Sequence, residues 1–143
     1  MATRPGTIVE RGRAKAYRPL PEAARRAAFT EALAAYDRGD AFLAHELLEP
    51  AWMGTRDPAE RALHSGLIKL AAAFVHEARG NRSGVAKNLA GARARLADAG
   101  PAGASFGIDV EALLRAVTAT AGAVEDGAPP APVAIPRTAE RAP

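Results

Sequence analysis

Apolar residues recur through the middle of the chain at three- and four-residue spacing, which is the period of an amphipathic α-helix. Glycine, proline and aspartate stand between these stripes, and they are the residues that begin and end helices. The pattern predicts five helices, which open near Pro21, at Asp40, at Pro58, near Ser83 and at Asp109. We therefore expect an all-α fold, a single-domain bundle of about five helices.

The third helix has the clearest boundaries. Asp57 supplies an N-cap, a proline follows at the first helical position, and Glu60 places an acid in the first turn. The helix is expected to run to Arg79, and residues 66–75 are apolar on nearly every side apart from Lys69. A helix of this kind belongs in the middle of a bundle.

The second helix contains a proline. Pro50 has no N–H to donate to the carbonyl of Glu46, and a proline in a helix interior costs ~3 kcal/mol. We expect the helix to kink at Pro50 or to end and restart there. Phe42 and Trp52 are expected to fill the core, with a pocket wall as the alternative role of Trp52.

Composition favours helix and limits the chemistry. Hydrophobic residues make up 48% of the 143 residues, and the many alanines among them favour helix over strand. The absence of cysteine excludes disulfides, thiolate metal sites and a cysteine nucleophile.

No stretch approaches the ~20 apolar residues of a membrane span, and residues 1–20 lack the apolar run of a signal peptide. We expect a cytoplasmic protein with no membrane partner.

Positive charge is concentrated at the amino terminus. The net charge of the chain is +3, but residues 1–26 carry seven basic and two acidic groups. We interpret residues 1–20 as a solvated basic arm and residues 21–126 as the helical bundle domain. Residues 127–143, rich in proline and alanine, are interpreted as an extended or disordered tail. The weaker alternative for the arm is contact with nucleic-acid phosphates.

Two histidines and a glutamate are the candidates for chemistry. His45 and Glu49 lie four residues apart, so they share one face of a helix and could bind one metal ion or exchange a proton. The sequence His-Glu-x-x-Glu lacks the second histidine of a zincin, so a further ligand must come from another helix. His76 would approach His45 if the second and third helices pack antiparallel. His64 lies at the opposite end and is a poorer match.

These residues, His45, Glu49 and His76, are called the histidine cluster below. In the preferred interpretation the cluster is a buried polar network, with Lys69 neutralising Glu49, and the protein is a binding or assembly module. Its partner would be another protein or a second copy of itself. In the alternative, the cluster holds a divalent metal ion of a hydrolase-type enzyme, and Glu46 and Lys69 assist catalysis. A small-ligand pocket is a third possibility, and no residues are assigned to an organic cofactor.

The ordered motifs are similar to those of a known family. They comprise residues 44–49, Trp52, residues 66–68 and 70–73, His76, residues 80–81, Gly84 and Leu89. Together they resemble the bacterial and archaeal family called domain of unknown function 309, over roughly residues 29–96. Ser65 and Lys69 stand where that family commonly has glutamine. The resemblance implies an all-α bundle in which the His-Glu helix packs on the apolar helix. It also implies the histidine cluster as the polar signature, and it implies no activity.

Overall fold

The structure is a computed structural model that describes residues 6–138, and within them a helical bundle carries a small β-hairpin. The elements are β1 (Thr7–Glu10), β2 (Arg13–Ala16), α1 (Glu22–Asp37), α2 (Ala41–Met53), α3 (Pro58–Ala78), α4 (Arg82–Leu96), α5 (Ala102–Ser105) and α6 (Val110–Glu125). The five predicted helices are α1 to α4 and α6, so the helical bundle is confirmed. The hairpin and the one-turn α5 were not predicted. The ends of the predicted arm and tail, residues 1–5 and 139–143, lie outside the described residues.

Aspartate side chains fix three helix starts, as the sequence predicts. Asp40, Asp57 and Asp109 each accept a hydrogen bond from the backbone N–H three residues further on, at 2.8 to 3.1 Å. The start of α4 differs from the prediction. Asn81 caps it by accepting from the N–H of Gly84 at 3.1 Å, while Ser83 already lies inside the helix.

Of the two alternatives predicted at Pro50, the end and restart of the helix is wrong, because α2 continues through Pro50 to Met53. Pro50 stands in the last turn, so little helix follows it, and the disruption is limited to the end of α2. Gly54 then caps the helix, and its N–H donates to the carbonyl of Ala51 at 3.2 Å.

The hydrophobic core lies between the bundle helices, and α3 is the most enclosed of them. The fully buried side chains of the core come from three helices. They include Leu63, Leu67 and Leu70 of α3, Val85, Leu89 and Leu96 of α4, and Leu113 and Val117 of α6. Phe42 was expected in this core but is 56% exposed. The reason is that α2 turns Ala44 and Leu48 inward, and a residue two positions from Ala44 points away from that face.

Among residues 6–138, no helix is both long and apolar enough to cross a membrane.

The described part of the C-terminal tail packs back on the bundle. Residues 127–138 form no helix, and Val133 and Ile135 are buried within the core cluster. The Tyr36 hydroxyl donates a hydrogen bond to the carbonyl of Val133. The backbone of Arg137 pairs with that of Ile108 in an isolated antiparallel β-bridge. This segment is therefore extended and covers one side of the core.

Gly66 lies where α3 meets α4, and a side chain there would collide with the neighbouring helix. A Cβ would lie 2.7 Å from Leu96 Cγ and 3.2 Å from its backbone nitrogen. We expect Gly66→Ala to lower the free energy of unfolding by about 1–3 kcal/mol, measured by urea denaturation. Gly122→Ala in α6 is the control, because a Cβ there meets nothing within 4 Å. It should gain about 0.5–1 kcal/mol. Equal changes in the two variants would contradict close packing at Gly66.

Candidate functional site

A β-hairpin forms where the sequence suggested a solvated arm. Its two turn residues, Arg11 and Gly12, both have positive φ, 51° and 77°, which is the signature of a type I′ turn. A positive φ is uncommon for arginine. The Arg11 guanidinium bonds Asp98, just beyond α4, at 3.1 Å. Residues 7–16 are thus an ordered hairpin that contacts the bundle.

The segment after the hairpin is attached to the end of α2. The N–H of Arg18 donates to the carbonyl of Met53 at 2.9 Å, and the N–H of Leu20 donates to that of Gly54 at 3.1 Å. A Cβ at Gly54 would lie 2.5 Å from Leu20 Cβ, so glycine permits this approach. A two-stranded hairpin is only marginally stable alone. These contacts therefore determine where the hairpin lies.

One face of the hairpin carries polar side chains over the bundle. The strand register pairs Ile8 with Lys15 and Glu10 with Arg13, and directly paired residues lie on the same face. Glu10, Arg13 and Lys15 all line a cleft between the hairpin and the helices. The alternation of Arg13 and Lys15 with alanine in β2 thus directs both cations to one side.

Glu10 forms an ion pair with Arg61, which is buried in α3. Arg61 Nε lies 2.9 Å from one carboxylate oxygen and Nη2 lies 3.3 Å from the other. Nη1 donates to the carbonyls of Trp52 and Thr55 at 2.8 and 3.1 Å. The Arg61 side chain is only 2% exposed. Trp52 Nε1 donates to Glu10 at 3.2 Å, and the guanidinium lies 4.9 Å from the centre of the indole ring. The three side chains therefore hold one another in place.

A second buried group joins α3 to α1. Arg25 Nε and Nη2 donate to the two oxygens of Glu60 at 2.7 and 3.2 Å, and His64 Nε2 lies 3.0 Å from the same carboxylate. The imidazole packs against Phe29 and Phe106, and its Nδ1 has no partner among the described residues. Burial alone would raise the pKa of Glu60, but the hydrogen bonds from His64 and Arg25 outweigh it and hold the pKa at about 2.

The predicted buried polar network exists, but its members differ from those predicted. It consists of Glu60, Arg61, His64 and the residues that reach them from α1 and the hairpin. The histidine of this network is His64, which was the poorer match to His45 because it lies at the opposite end of α3 from His76. Its glutamate is Glu60, which was predicted only as an acidic residue in the first turn of α3.

The histidine cluster is not buried, so that part of the prediction is wrong. His45 Nδ1 lies 3.6 Å from Glu49 Oε1 and 3.8 Å from Glu46 Oε1, and the Glu49 side chain is 45% exposed. His76 Nδ1 instead lies 3.1 Å from the amide nitrogen of Asn81. His45 and His76 do line one pocket of about 180 Å³, as antiparallel packing predicts. The cluster is more open than expected because α2 buries its alanine and leucine face.

Among residues 6–138, no group of three or more His, Asp or Glu side chains is arranged to hold a metal ion. The geometry therefore gives no support to metal binding by His45, Glu49 and His76. Their roles as metal ligands, and the catalytic roles of Glu46 and Lys69, stay predictions.

Several candidates from the sequence meet in the space beneath the hairpin, called the cationic cleft below. It has a volume of about 430 Å³. Its lining residues are Glu10, Arg11, Arg13, Lys15, His45, Glu49, Trp52, Ser65, Ile68, Lys69 and Arg95. Five of these are basic and two are carboxylates. Glu10 already binds Arg61, so the cleft has an excess of positive charge.

Most of this positive charge has no carboxylate partner. Within the part of the chain that the structure describes, Arg13, Lys15, Lys69 and Arg95 form no ion pair, and the predicted pairing of Lys69 with Glu49 is not formed. Burial, Arg95 and two other lysines lower the pKa of Lys69. Burial and a nearby arginine likewise lower the pKa of Arg95. An anion bound here would relieve this repulsion.

The sequence predicted no site role for Glu10, Arg25, Arg61 or Arg95, and Arg95 was expected only on a solvated face. A signal for the hairpin was present in the strict alternation of β2 after an Arg-Gly turn. No sequence signal joins residues that are 35 or 51 positions apart, as Arg25–Glu60 and Glu10–Arg61 are.

The family described as a domain of unknown function (DUF309) matches residues 29–88. This match confirms the resemblance over α2, α3 and parts of α1 and α4. The hairpin and Arg95 lie outside the matched range. No curated protein and no solved structure matches the chain.

Proposed function

We propose that this protein is a binding module that holds a small anionic ligand in the cationic cleft. The observation that supports the proposal most directly is the convergence of Lys15, Lys69 and Arg95 on one cleft without a carboxylate partner among residues 6–138. Like charges in a partly buried site oppose one another unless a ligand balances them. Lysine and arginine form strong, charge-assisted hydrogen bonds with phosphate and carboxylate oxygens.

Lys69 and Arg95 lie close together beside Gly91 of α4. Arg95 Nη1 donates to the carbonyl of Gly91 at 3.3 Å. A Cβ at Gly91 would lie 3.2 Å from Arg95 Nη1 and 3.4 Å from Lys69 Cδ. The absence of a side chain at Gly91 thus leaves room for both cations at one place on α4. The cleft volume of about 430 Å³ also lies within the ~300–1,000 Å³ range of small-molecule sites.

A double variant, Lys69→Gln with Arg95→Gln, tests this proposal. Isothermal titration calorimetry at low salt should show that the wild-type protein binds pyrophosphate and that the double variant binds it at least tenfold more weakly. A hydrogen bond to a charged group is worth about 1.5–3 kcal/mol, and about 1.4 kcal/mol corresponds to a factor of ten. The variant should also melt at an equal or higher temperature without ligand, because the repulsion is removed.

The matched control is the double variant Arg38→Gln with Arg115→Gln. It also removes two positive charges, but from exposed positions outside the cleft lining. It should therefore keep the wild-type affinity for pyrophosphate. Equal weakening in both double variants would show only a general effect of net charge and would contradict a site. The proposal would also fail if the wild-type protein bound neither pyrophosphate nor inorganic phosphate.

A further inference from the structure

We infer that the ligand of the cationic cleft is a phosphate ester carrying a flat unsaturated ring, of about the size of a mononucleotide. This inference rests on the proposed function and adds the chemical class of the ligand. It places the phosphate at Lys69 and Arg95 and the ring against Trp52.

Trp52 lines the cleft with its indole already held in position. Its Nε1 donates to Glu10 at 3.2 Å, and Arg61 lies against its ring. Because the only polar atom of the indole is occupied, what it offers a ligand is an apolar, π-rich surface. A side chain fixed in this way loses little conformational entropy when a ligand binds. Trp52 was expected in the core, but it is only half-buried.

The size and mixed lining of the cleft favour a ligand larger than a bare anion. A volume of about 430 Å³ exceeds that of a water molecule, about 30 Å³, by an order of magnitude. Inorganic phosphate would leave most of this space to solvent. Ile68 joins Trp52 as an apolar part of the lining, so a ring beside the phosphate would cover surface that is otherwise wet.

The remaining polar residues favour a ligand that carries hydrogen-bond donors beside its phosphate. Glu49 lines the cleft with an exposed carboxylate, and His45 lies 3.6 Å from it. A carboxylate accepts hydrogen bonds from hydroxyl or amino groups. A sugar or a base supplies such groups, and a free mononucleotide combines them with the ring and the phosphate.

The experiment uses the only tryptophan of the chain as its probe. The fluorescence of Trp52 and calorimetry are followed while the full-length protein is titrated with inorganic phosphate, glycerol phosphate, phenyl phosphate, AMP and adenosine. We expect AMP or phenyl phosphate to bind at least tenfold more tightly than glycerol phosphate and to quench Trp52, because ring stacking adds to the phosphate contacts. Adenosine, which lacks the phosphate, should bind at least tenfold more weakly than AMP.

Two variants separate the ring contact from the fold. Trp52→Phe keeps an aromatic ring and should retain most of the preference for AMP over glycerol phosphate, measured by calorimetry. Trp52→Leu should lose the preference. Trp52→Phe is its matched control, because both variants remove the hydrogen bond from the indole to Glu10 and only Trp52→Leu removes the aromatic ring. A Trp52→Leu protein that keeps the full preference would overturn the assignment of the ring to Trp52.

The outcomes distinguish this inference from the proposed function. If pyrophosphate and inorganic phosphate bind but neither AMP nor phenyl phosphate gains over glycerol phosphate, the ring assignment is overturned and the anion site stands. If no anion binds, the proposed function itself fails. A short single-stranded oligonucleotide that binds more tightly than AMP would assign the cleft to a nucleic-acid strand and overturn the small-molecule assignment.

Discussion

Glu10→Ala should lower the free energy of unfolding by about 3 kcal/mol or more, because it leaves the guanidinium of Arg61 buried without its carboxylate. Arg61 makes both of its ion-pair contacts, at 2.9 and 3.3 Å, with this one residue of the hairpin. The Arg61 side chain is 2% exposed, so water in the folded state cannot replace the lost contacts with the Glu10 carboxylate. Trp52 Nε1 loses its acceptor in the same variant. Urea denaturation monitored by circular dichroism measures the change.

The matched control for Glu10→Ala is Glu22→Ala. It also removes a carboxylate from an arginine ion pair, Arg26–Glu22 at 3.1 Å, but both side chains are exposed to solvent. Exposed pairs of this kind contribute about 0.3–0.5 kcal/mol. Similar losses in the two variants would contradict the importance of burial at Arg61.

A further variant identifies the cause of the loss. Arg61→Met in the Glu10→Ala background removes the unpaired charge and keeps an apolar side chain of similar length. The double variant should therefore be more stable than Glu10→Ala alone, as happens when a buried ion pair is replaced by apolar groups. If it is no more stable, the loss comes from hairpin packing and not from an unpaired cation.

The long helices could be predicted because each has an apolar stripe and chemically distinct ends. Asp57 caps α3 because its side chain accepts the N–H of Glu60, and that bond needs only local sequence. The hairpin could be predicted far less well. Its strands are four residues long, and β2 contains alanine, arginine and lysine, which are weak strand formers. Distant contacts through Glu10 and Arg11 hold it in place.

The choice between two histidines shows where the sequence stops being informative. His45 and Glu49 are four residues apart, and so are Glu60 and His64. Spacing alone cannot tell which pair is buried. Arg25 reaches Glu60 from another helix, 35 positions away, and compensates the buried carboxylate. No such partner reaches Glu49 among the described residues, and its side chain remains exposed to solvent.

The buried network and the cationic cleft have connected roles. Arg61 fixes Glu10, and Glu10 lies on the same hairpin face as Arg13 and Lys15. The network thereby holds two cations over the cleft. A buried ion pair can fix the position of an element even where its net contribution to stability is small. Loss of the Glu10–Arg61 pair should accordingly weaken anion binding together with the fold.

Acid should destabilise the protein through Glu60. The pKa of Glu60 is lowered from 4.5 to about 2 in the folded state, where Arg25 and His64 bond its carboxylate. A carboxyl group of this kind contributes stability above its unfolded pKa, and that contribution is lost as the pH falls from about 4.5 towards 2. The difference in pKa between the folded and unfolded states corresponds to about 3 kcal/mol in the free energy of unfolding. Urea denaturation at a series of pH values between about 6 and 2 measures the loss.

Glu60→Gln isolates this contribution from that of the other carboxylates. At neutral pH the variant should be about 3 kcal/mol less stable than the wild type, because Arg25 and His64 lose a charged acceptor. The two stability curves should then converge as the pH falls towards 2, where the wild-type carboxyl group takes up its proton. Glu31→Gln, which alters an exposed carboxylate of α1, should instead follow the wild-type curve throughout. A constant gap between the wild type and Glu60→Gln would show that the loss comes from packing and not from the charge of Glu60.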